Sequence, residues 1–508
     1  MASLNSVSTW DDETDVLIVG YGLAGAVAAI EAHDTDPDAD ILLIDKCTER
    51  YQGGSSRASG QTLWCPHDVE ATMAYQRAMN FPNPVPEEYL RAWAEAMNSQ
   101  EPWIEAKASE AGMEYVRRSA RPGADPTHVT VEFEELPGAK AAVSYNSTIE
   151  PNPSGVWNTF RIHVERRPRI RRSFETRAMD LVQDPDTGEV FGAIVERDSR
   201  RQAIKARRAV VMSTGSFEGN MQMQRDFWGA EEIYPLGNPE NTGDGIRMLQ
   251  KAGADMWHMR NFTQSGGLQP GIKVPEFKAA FFRQQFMDST SWIDIAADGK
   301  RFYDEGIFYA YTHYRMRRHG KWLDVPTHQV LPIHMILDET SRVAQSLAAT
   351  WKSWNIVVEG YQWSEDNSKE IEKGWIKKAD TIRELARLID REPDVLQDTV
   401  DRYNEAARSG FDPEYGRSAD RMTPIENGPF YGIAIVPGVV AHTGGARRDG
   451  ESRVVDSESR PIPRLYEAGE MGSIYANIYQ NGGFLAECIA SGRSAGRNAV
   501  AETPILAR

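Results

Sequence analysis

The sequence predicts an α/β fold, on three observations. Val16 to Val19 is an apolar run of strand type, Gly20-x-Gly22-x-x-Gly25 follows at once, and Ala24 to Ala32 reads as a helix. A second apolar strand, Ile41 to Ile44, ends in Asp45, twenty residues after Gly25. This order makes a Rossmann-like dinucleotide-binding turn. Its glycines allow a tight bend and let the backbone approach a pyrophosphate lying at the positive end of the helix. Asp45 is placed to accept hydrogen bonds from an adenosine ribose, with Lys46 beside it among the expected cofactor contacts.

At 508 residues the chain is too long for one core and is expected to split into two or three domains. Its 41% hydrophobic and 26% charged residues describe an ordinary globular protein. No window approaches about eighteen consecutive apolar residues, so no transmembrane helix is expected. The opening MASLNSVSTWDDET has no basic start or apolar stretch, so no signal peptide is expected. Three cysteines without CxxC pairing favour a reducing cytoplasm and argue against a cysteine-built metal site; no metal is predicted. The net charge of -17 disfavours nucleic acid and anionic membranes as partners.

Further along, ARRAVVMSTGSFEGN gives a strand at Ala209 to Met212 running into Thr214-Gly215. IPRLYEAGEMGS gives another, running into Gly469-Glu470. In NGGFLAECIASGRSAGRNA, Gly482-Gly483 opens a helix with small and apolar residues at regular spacing, Leu485 in its first turn. This order resembles the fumarate reductase/succinate dehydrogenase flavoprotein superfamily. The likeness extends to Gly53-Gly54-Ser55-Ser56, to NTGDGIRMLQKAGA with Asp244, and to LQDTVDRYNEAARSGFD.

The resemblance implies FAD rather than NAD, in a Rossmann-like FAD-binding domain with an inserted α+β cap (substrate) domain. The expected boundaries are 12–262 for the first part of the FAD domain, 263–440 for the cap and 441–508 for the return. A helix starting at Gly483 would aim its N–H groups at the flavin's pyrimidine edge, where charge gathers on reduction. Glu470 would bind ribityl hydroxyls. The Gly53-Gly54 loop has no histidine, so the FAD is expected to be non-covalent. In the cap, Thr381 and Glu384 form a capping-box pair.

The fumarate reductase branch carries an arginine four residues after the Glu that follows GKRF; here Glu305 is followed at that spacing by Tyr309. Its substrate-carboxylate arginine, two places before Gly-Gly, is Gln480, and its HHTMGG stretch is VAHTGG, with His442 one place later. Its HPT histidine has no counterpart near RNFTQSGG. These departures disfavour a dicarboxylate substrate. In the 3-ketosteroid dehydrogenases the position of Tyr309 is a tyrosine base, and a second tyrosine four places before a glycine holds the ketone oxygen with that glycine's N–H. This chain has Tyr479 and Gly483 at that spacing.

The implied reaction desaturates the α,β bond beside a ketone, with hydride to flavin N5 and the α-proton to Tyr309. A tyrosine of pKa near 10 needs help as a base; Tyr303, Tyr311, Arg315 and Arg342 are candidates. The bland alternatives are a core aromatic for Tyr309 and packing under the flavin for Tyr479. His442 and Glu305 are read as structural and Cys488 as inert. The tyrosine that the ketosteroid enzymes carry before a Pro-Gly pair is missing from HVTVEFEELPGAK, where the nearest aromatic is Phe133, so smaller cyclic oxo compounds stand beside 3-ketosteroids as substrates. Expected partners are a small apolar ketone or enone and an unidentified electron acceptor. The runner-up is an ene reductase acting on an activated alkene, and a third alternative is an electron-relaying flavoprotein subunit.

Overall fold

The computed structural model describes residues 2–118, 133–140, 144–229, 232–261, 269–284, 287–306, 315–318, 321–324 and 331–505. The chain divides into two compact units. The first comprises Met1–Gly229, Glu240–Ser265 and Ala441–Arg508; the second comprises Ala230–Pro239 and Gly266–Val440.

The first unit is built on a nine-stranded sheet. Strand β1 (Asp12–Val19) leads through the Gly-rich turn into helix α1 (Leu23–Thr35), then β2 (Ile41–Ile44) and helix α2 (Val69–Asn80). β3 (Ile170–Ser173), β4 (Arg177–Gln183), β5 (Val190–Arg197) and β6 (Arg200–Met212) follow, then helix α3 (Asp244–Lys251), β7 (Pro461–Glu467) and helix α4 (Gly483–Ala501). The order β4-β5-β6-β1-β2-β3 puts β1 near the middle, parallel to both β6 and β2, with β7 parallel on β6. Buried on both faces, residues 16–19 of β1 and all of β2 are continuous apolar runs rather than alternating ones. The predicted α/β class is therefore observed.

Helices α1 and α4 lie against each other at backbone distance. A Cβ on Gly492 would come 2.7 Å from the Ala24 carbonyl oxygen, and one on Gly496 would overlap that of Ala28. This close approach is why the C-terminal helix is rich in small residues.

The second unit is a seven-stranded sheet centred on Phe430–Val439, which pairs antiparallel with Ile333–Asp338, Gln269–Ile272 and Ile376–Ala379. The helices Ile382–Leu388 and Pro393–Ser409 share a core with it, through Ile293, Ile336, Leu385, Leu396 and Tyr403. Thr381 and Glu384 form the predicted capping box. Arg301 makes a two-point bond to Glu305 at 2.8 and 2.6 Å and a third to Asp412, all buried, so Glu305 braces this unit. The Tyr303 phenol donates to Asp294, which is paired with buried Arg283, and Arg342 is held by Glu339. Both are thereby committed, so neither is a ready helper for a tyrosine base. Tyr309 and Tyr311 lie outside the described residues, and of Arg315 only the backbone is described.

Candidate active site

The Gly-rich turn separates glycines the protein needs from one it does not. Gly20 has φ +107°, and a Cβ there would strike the Ser213 carbonyl; on Gly25 it would strike the Gly20 carbonyl. Gly22 caps α1 at φ -90°, and its Cβ would meet nothing nearer than 3.9 Å. Packing explains two of the glycines, and the third leaves room for the close approach of a ligand. The turn is pinned from outside: Ser56 Oγ accepts from Leu23 N–H at 3.3 Å, and Gly53 N–H donates to Tyr21 O at 3.0 Å. Gly53 and Gly54, both at positive φ, lead directly into Ser55 and Ser56.

Asp45 accepts from Tyr21 N–H at 2.7 Å and from Cys47 N–H at 2.8 Å. Burial pushes its carboxyl up, and these two N–H groups pull against it. Each oxygen keeps a further acceptor site for a hydroxyl. Lys46 and Asp244 pair with each other. Lys46 Nζ bonds Asp244 at 3.0 Å and Thr242 at 2.6 Å, and Arg177 takes the other Asp244 oxygen, so the pair braces β2 against the head of α3. Those cations hold Asp244 below the usual carboxylate range despite its burial.

The Thr214-Gly215 turn packs against α3 and Asn241. A Cβ on Gly245 would strike Thr214 Oγ1, and one on Gly215, itself at φ +67°, would come 2.9 Å from Asn241 Nδ2. Asn241 Nδ2 also reaches Ser55 Oγ at 3.3 Å and Glu470 Oε1 at 3.5 Å. Next along, Glu218 is buried with both carboxylate oxygens lacking a hydrogen-bond partner. Sequence reasoning missed Glu218 and Asn241, although both stand in stretches it singled out.

Gly469 and Glu470 sit on a turn tied to α4 by Arg448. Its guanidinium donates to the carbonyls of Gly469 and Met471 and to Glu487 Oε1 at 2.7 Å, with Glu467 Oε1 at 3.6 Å. Gly482, at φ +84°, opens α4 against Trp64, whose N–H donates to the Gly482 carbonyl at 3.1 Å.

At the head of α4, Tyr479 stacks on Phe484 with ring centroids 4.2 Å apart and meets the Tyr475 ring edge-on at 5.0 Å. Leu485 is buried beside them. Phe484 N–H lies 3.4 Å from Tyr479 Oη. The Gly483 N–H donates to the Gln480 carbonyl at 3.0 Å. It closes the turn before the helix, so the expected ketone donor is already engaged. A Cβ on Gly483 would overlap Tyr475 Oη, which gives that glycine a packing reason as well. Gln480 is fully buried, and the phenol of Tyr75 on α2 donates to its Oε1 at 2.9 Å.

His442 is structural. Its Nδ1 accepts from Gly444 N–H and faces Ser216 Oγ at 2.6 Å, leaving Nε2 to donate to the Met259 carbonyl. Burial depresses its pKa to about 3. Cys488 is buried, and burial pushes its thiol up, out of the reactive range.

The open Gly22, the buried Glu218 carboxyl and the helix heads at Gly22 and Gly482, whose glycine caps bring no side chain, fit a large phosphate- and hydroxyl-bearing ligand. The FAD binding domain family matches residues 15–484. The chain belongs to that family. It is 26% identical over 97% of its length to a digoxin reductase of Eggerthella lenta, spanning 88% of that protein. It is also 26% identical over 91% of its length to a 3-oxosteroid 1-dehydrogenase of Mycolicibacterium smegmatis, spanning 92% of it. In fold it matches a 3-ketosteroid Δ1-dehydrogenase of Sterolibacterium denitrificans with a TM-score of 0.75 and 20% identity, over 96% of this chain and 100% of that one. The flavoprotein is an FAD-dependent oxidoreductase acting on CH–CH groups, with 3-ketosteroid dehydrogenase-like and fumarate reductase-like relatives. Among the described residues no helix is long and apolar enough to cross a membrane, and no cluster of His, Cys, Asp and Glu is arranged to hold a metal.

Proposed function

We propose that the flavoprotein desaturates the α,β carbon–carbon bond beside a ketone, in a 3-ketosteroid or a smaller cyclic oxo compound. The observation that carries this is the head of α4. It presents the Tyr479 phenol among Tyr475 and Phe484, and places neutral, buried Gln480 where the carboxylate-handling branch has an arginine. Such a surface suits an apolar carbonyl compound better than an anion.

Bound FAD supplies the hydride acceptor. It is held by the Gly20-Gly22-Gly25 turn, Asp45, the Gly53–Ser56 loop, Thr214-Gly215, Gly469-Glu470 and the Gly482–Leu485 helix head. Attachment is non-covalent: the Gly53-Gly54 loop has no histidine, and His442 uses both ring nitrogens within the protein. Tyr479 O–H donates to the ketone oxygen and stabilises the enolate; removing a donor of this kind costs about 10²- to 10³-fold in rate. The Phe484 N–H, directed at the same phenol oxygen, strengthens it as a donor. Gly483 N–H assists as a shared donor, since it is already given to Gln480. Tyr309 takes the α-proton, with Tyr311 or Arg315 as the remaining candidates to assist it.

The reverse direction, reduction of an activated alkene, is the second reading. It is favoured by the digoxin reductase relative, which is as similar as the steroid dehydrogenase. Anaerobic mixing separates the two. A saturated cyclic ketone that bleaches the oxidised flavin supports desaturation. An enone that reoxidises reduced flavin, with no ketone able to bleach it, supports reduction.

A further inference from the structure

Glu218 is 2% exposed, and neither carboxylate oxygen completes a hydrogen bond. Its backbone is fixed, because its carbonyl accepts from Gln224 Nε2 at 2.7 Å and the next N–H, of Gly219, donates to the Asn241 carbonyl at 2.8 Å. The Asn241 amide stands beside Glu218 and also reaches Glu470 and Ser55. The buried guanidinium of this unit, Arg448, is taken by Glu467 and Glu487. Among the described residues neither Glu218 nor Glu470 is ion-paired.

Two neighbouring carboxyls without a cation do not both stay charged in a low-dielectric site, because desolvation and mutual repulsion each favour keeping a proton. Burial first, then Glu218 and Glu487, push Glu470 well above the usual carboxylate range. Burial lifts Glu218 to about 7, held in check by the backbone N–H of Glu218 itself, the Asn241 amide and the His442 N–H, which lie nearby without reaching full hydrogen-bond geometry. The His442 imidazole is neutral, so it offers no compensating charge.

We propose that Glu218 and Glu470 form a proton-sharing carboxyl pair on the flavin-binding wall, and that this pair takes up one proton from solvent as FAD binds. The inference rests on the proposed FAD cradle. The pyrophosphate brings negative charge into the same unit, and the bulky ligand displaces water from the carboxyls. Both effects favour the neutral acid. Once protonated, Glu218 gains a donor that can serve a ligand oxygen. The linkage has a definite sign: below the pair's titration in the FAD-free protein the proton is already present and affinity is flat. Above it each binding event must recruit a proton, so Kd weakens by up to about tenfold per pH unit.

The test titrates the full chain, stripped of flavin, with FAD from pH 6 to 9 by fluorescence quenching. Calorimetry in two buffers of different ionisation enthalpy counts the protons. The expected result is a wild-type affinity approaching a tenfold loss per unit above pH 7, with about one proton taken up, and a Glu218→Gln variant that binds with no such slope. A flat wild-type profile with no proton uptake overturns the pair, as does a Glu218→Gln variant that keeps the slope. Failure to bind FAD at any pH overturns the cradle instead.

Discussion

The phenol of Tyr75 donates to Gln480 Oε1 at 2.9 Å, and both side chains are fully buried. Helix α2 holds the loop before α4 at further points: Asn80 Oδ1 accepts from Ala476 N–H, and the Met79 carbonyl accepts from Ile478 N–H. Tyr479 is thus positioned by a distant helix. Replacing Tyr75 by Phe removes this hydrogen bond to a buried amide oxygen, and a loss of about 1–3 kcal/mol of stability is expected. Denaturant unfolding at fixed pH measures it. Unchanged stability would show that Gln480 finds another donor.

Gly22 and Gly25 are predicted to fail in different ways when changed to Ala. Gly25→Ala forces a methyl group into the Gly20 carbonyl and disrupts the turn itself, lowering the melting temperature of the flavin-free protein. Gly22→Ala meets nothing within 3.9 Å and has an ordinary φ, so it should fold normally yet bind FAD at least about tenfold more weakly. Melting and FAD affinity, measured on both variants, separate the two roles. Equal FAD affinity of Gly22→Ala and wild type would contradict the cradle.

Arg448 is surrounded by Glu467, Glu487 and two carbonyls with almost no solvent. Arg448→Met strands two buried carboxylates, and a cost of about 3–5 kcal/mol is expected from breaking such a group on one side. Adding Glu487→Gln should recover part of that loss. The double-mutant cycle is read by chemical denaturation, and purely additive losses would refute the coupling.

His442 and His258 predict acid sensitivity. Burial lowers the first to about 3 and the second to about 4, against about 6.5 in an unfolded chain. Below pH 6.5 the unfolded chain binds protons that the folded one refuses, so this contribution is complete above 6.5 and declines as pH falls towards 4. Each histidine contributes a slope of up to about 1.4 kcal/mol per unit. Unfolding free energies at pH 7.5 and 5.0 should differ accordingly, and His442→Asn should reduce the difference. An unchanged difference in that variant would place the titration elsewhere.

The nucleotide turn was legible because its constraint is local: Gly20 takes a positive φ against the Ser213 strand end, and Gly25, five residues on, packs on the Gly20 carbonyl. The helix opening at Gly483 and the Thr381–Glu384 cap were legible for the same reason. What sequence spacing does not carry is pairing across the fold. Tyr75 and Gln480 are 405 residues apart, and Asn241 and Glu470 are 229 apart. The spending of Lys46 on Asp244, and of the Gly483 N–H on the Gln480 carbonyl, was likewise invisible. Residue type announces that a donor exists, but only the folded chain shows which acceptor takes it.

The central claim is that Tyr479 activates a ketone for dehydrogenation. The most direct measurement is anaerobic flavin bleaching by a panel of saturated cyclic ketones, steroids included, with wild type and Tyr479→Phe compared at equal FAD occupancy. The predicted result is rapid bleaching by at least one ketone and a loss of about 10²- to 10³-fold in that rate in the variant. Bleaching at the same rate in Tyr479→Phe would contradict the account and return Tyr479 to the packing around Phe484.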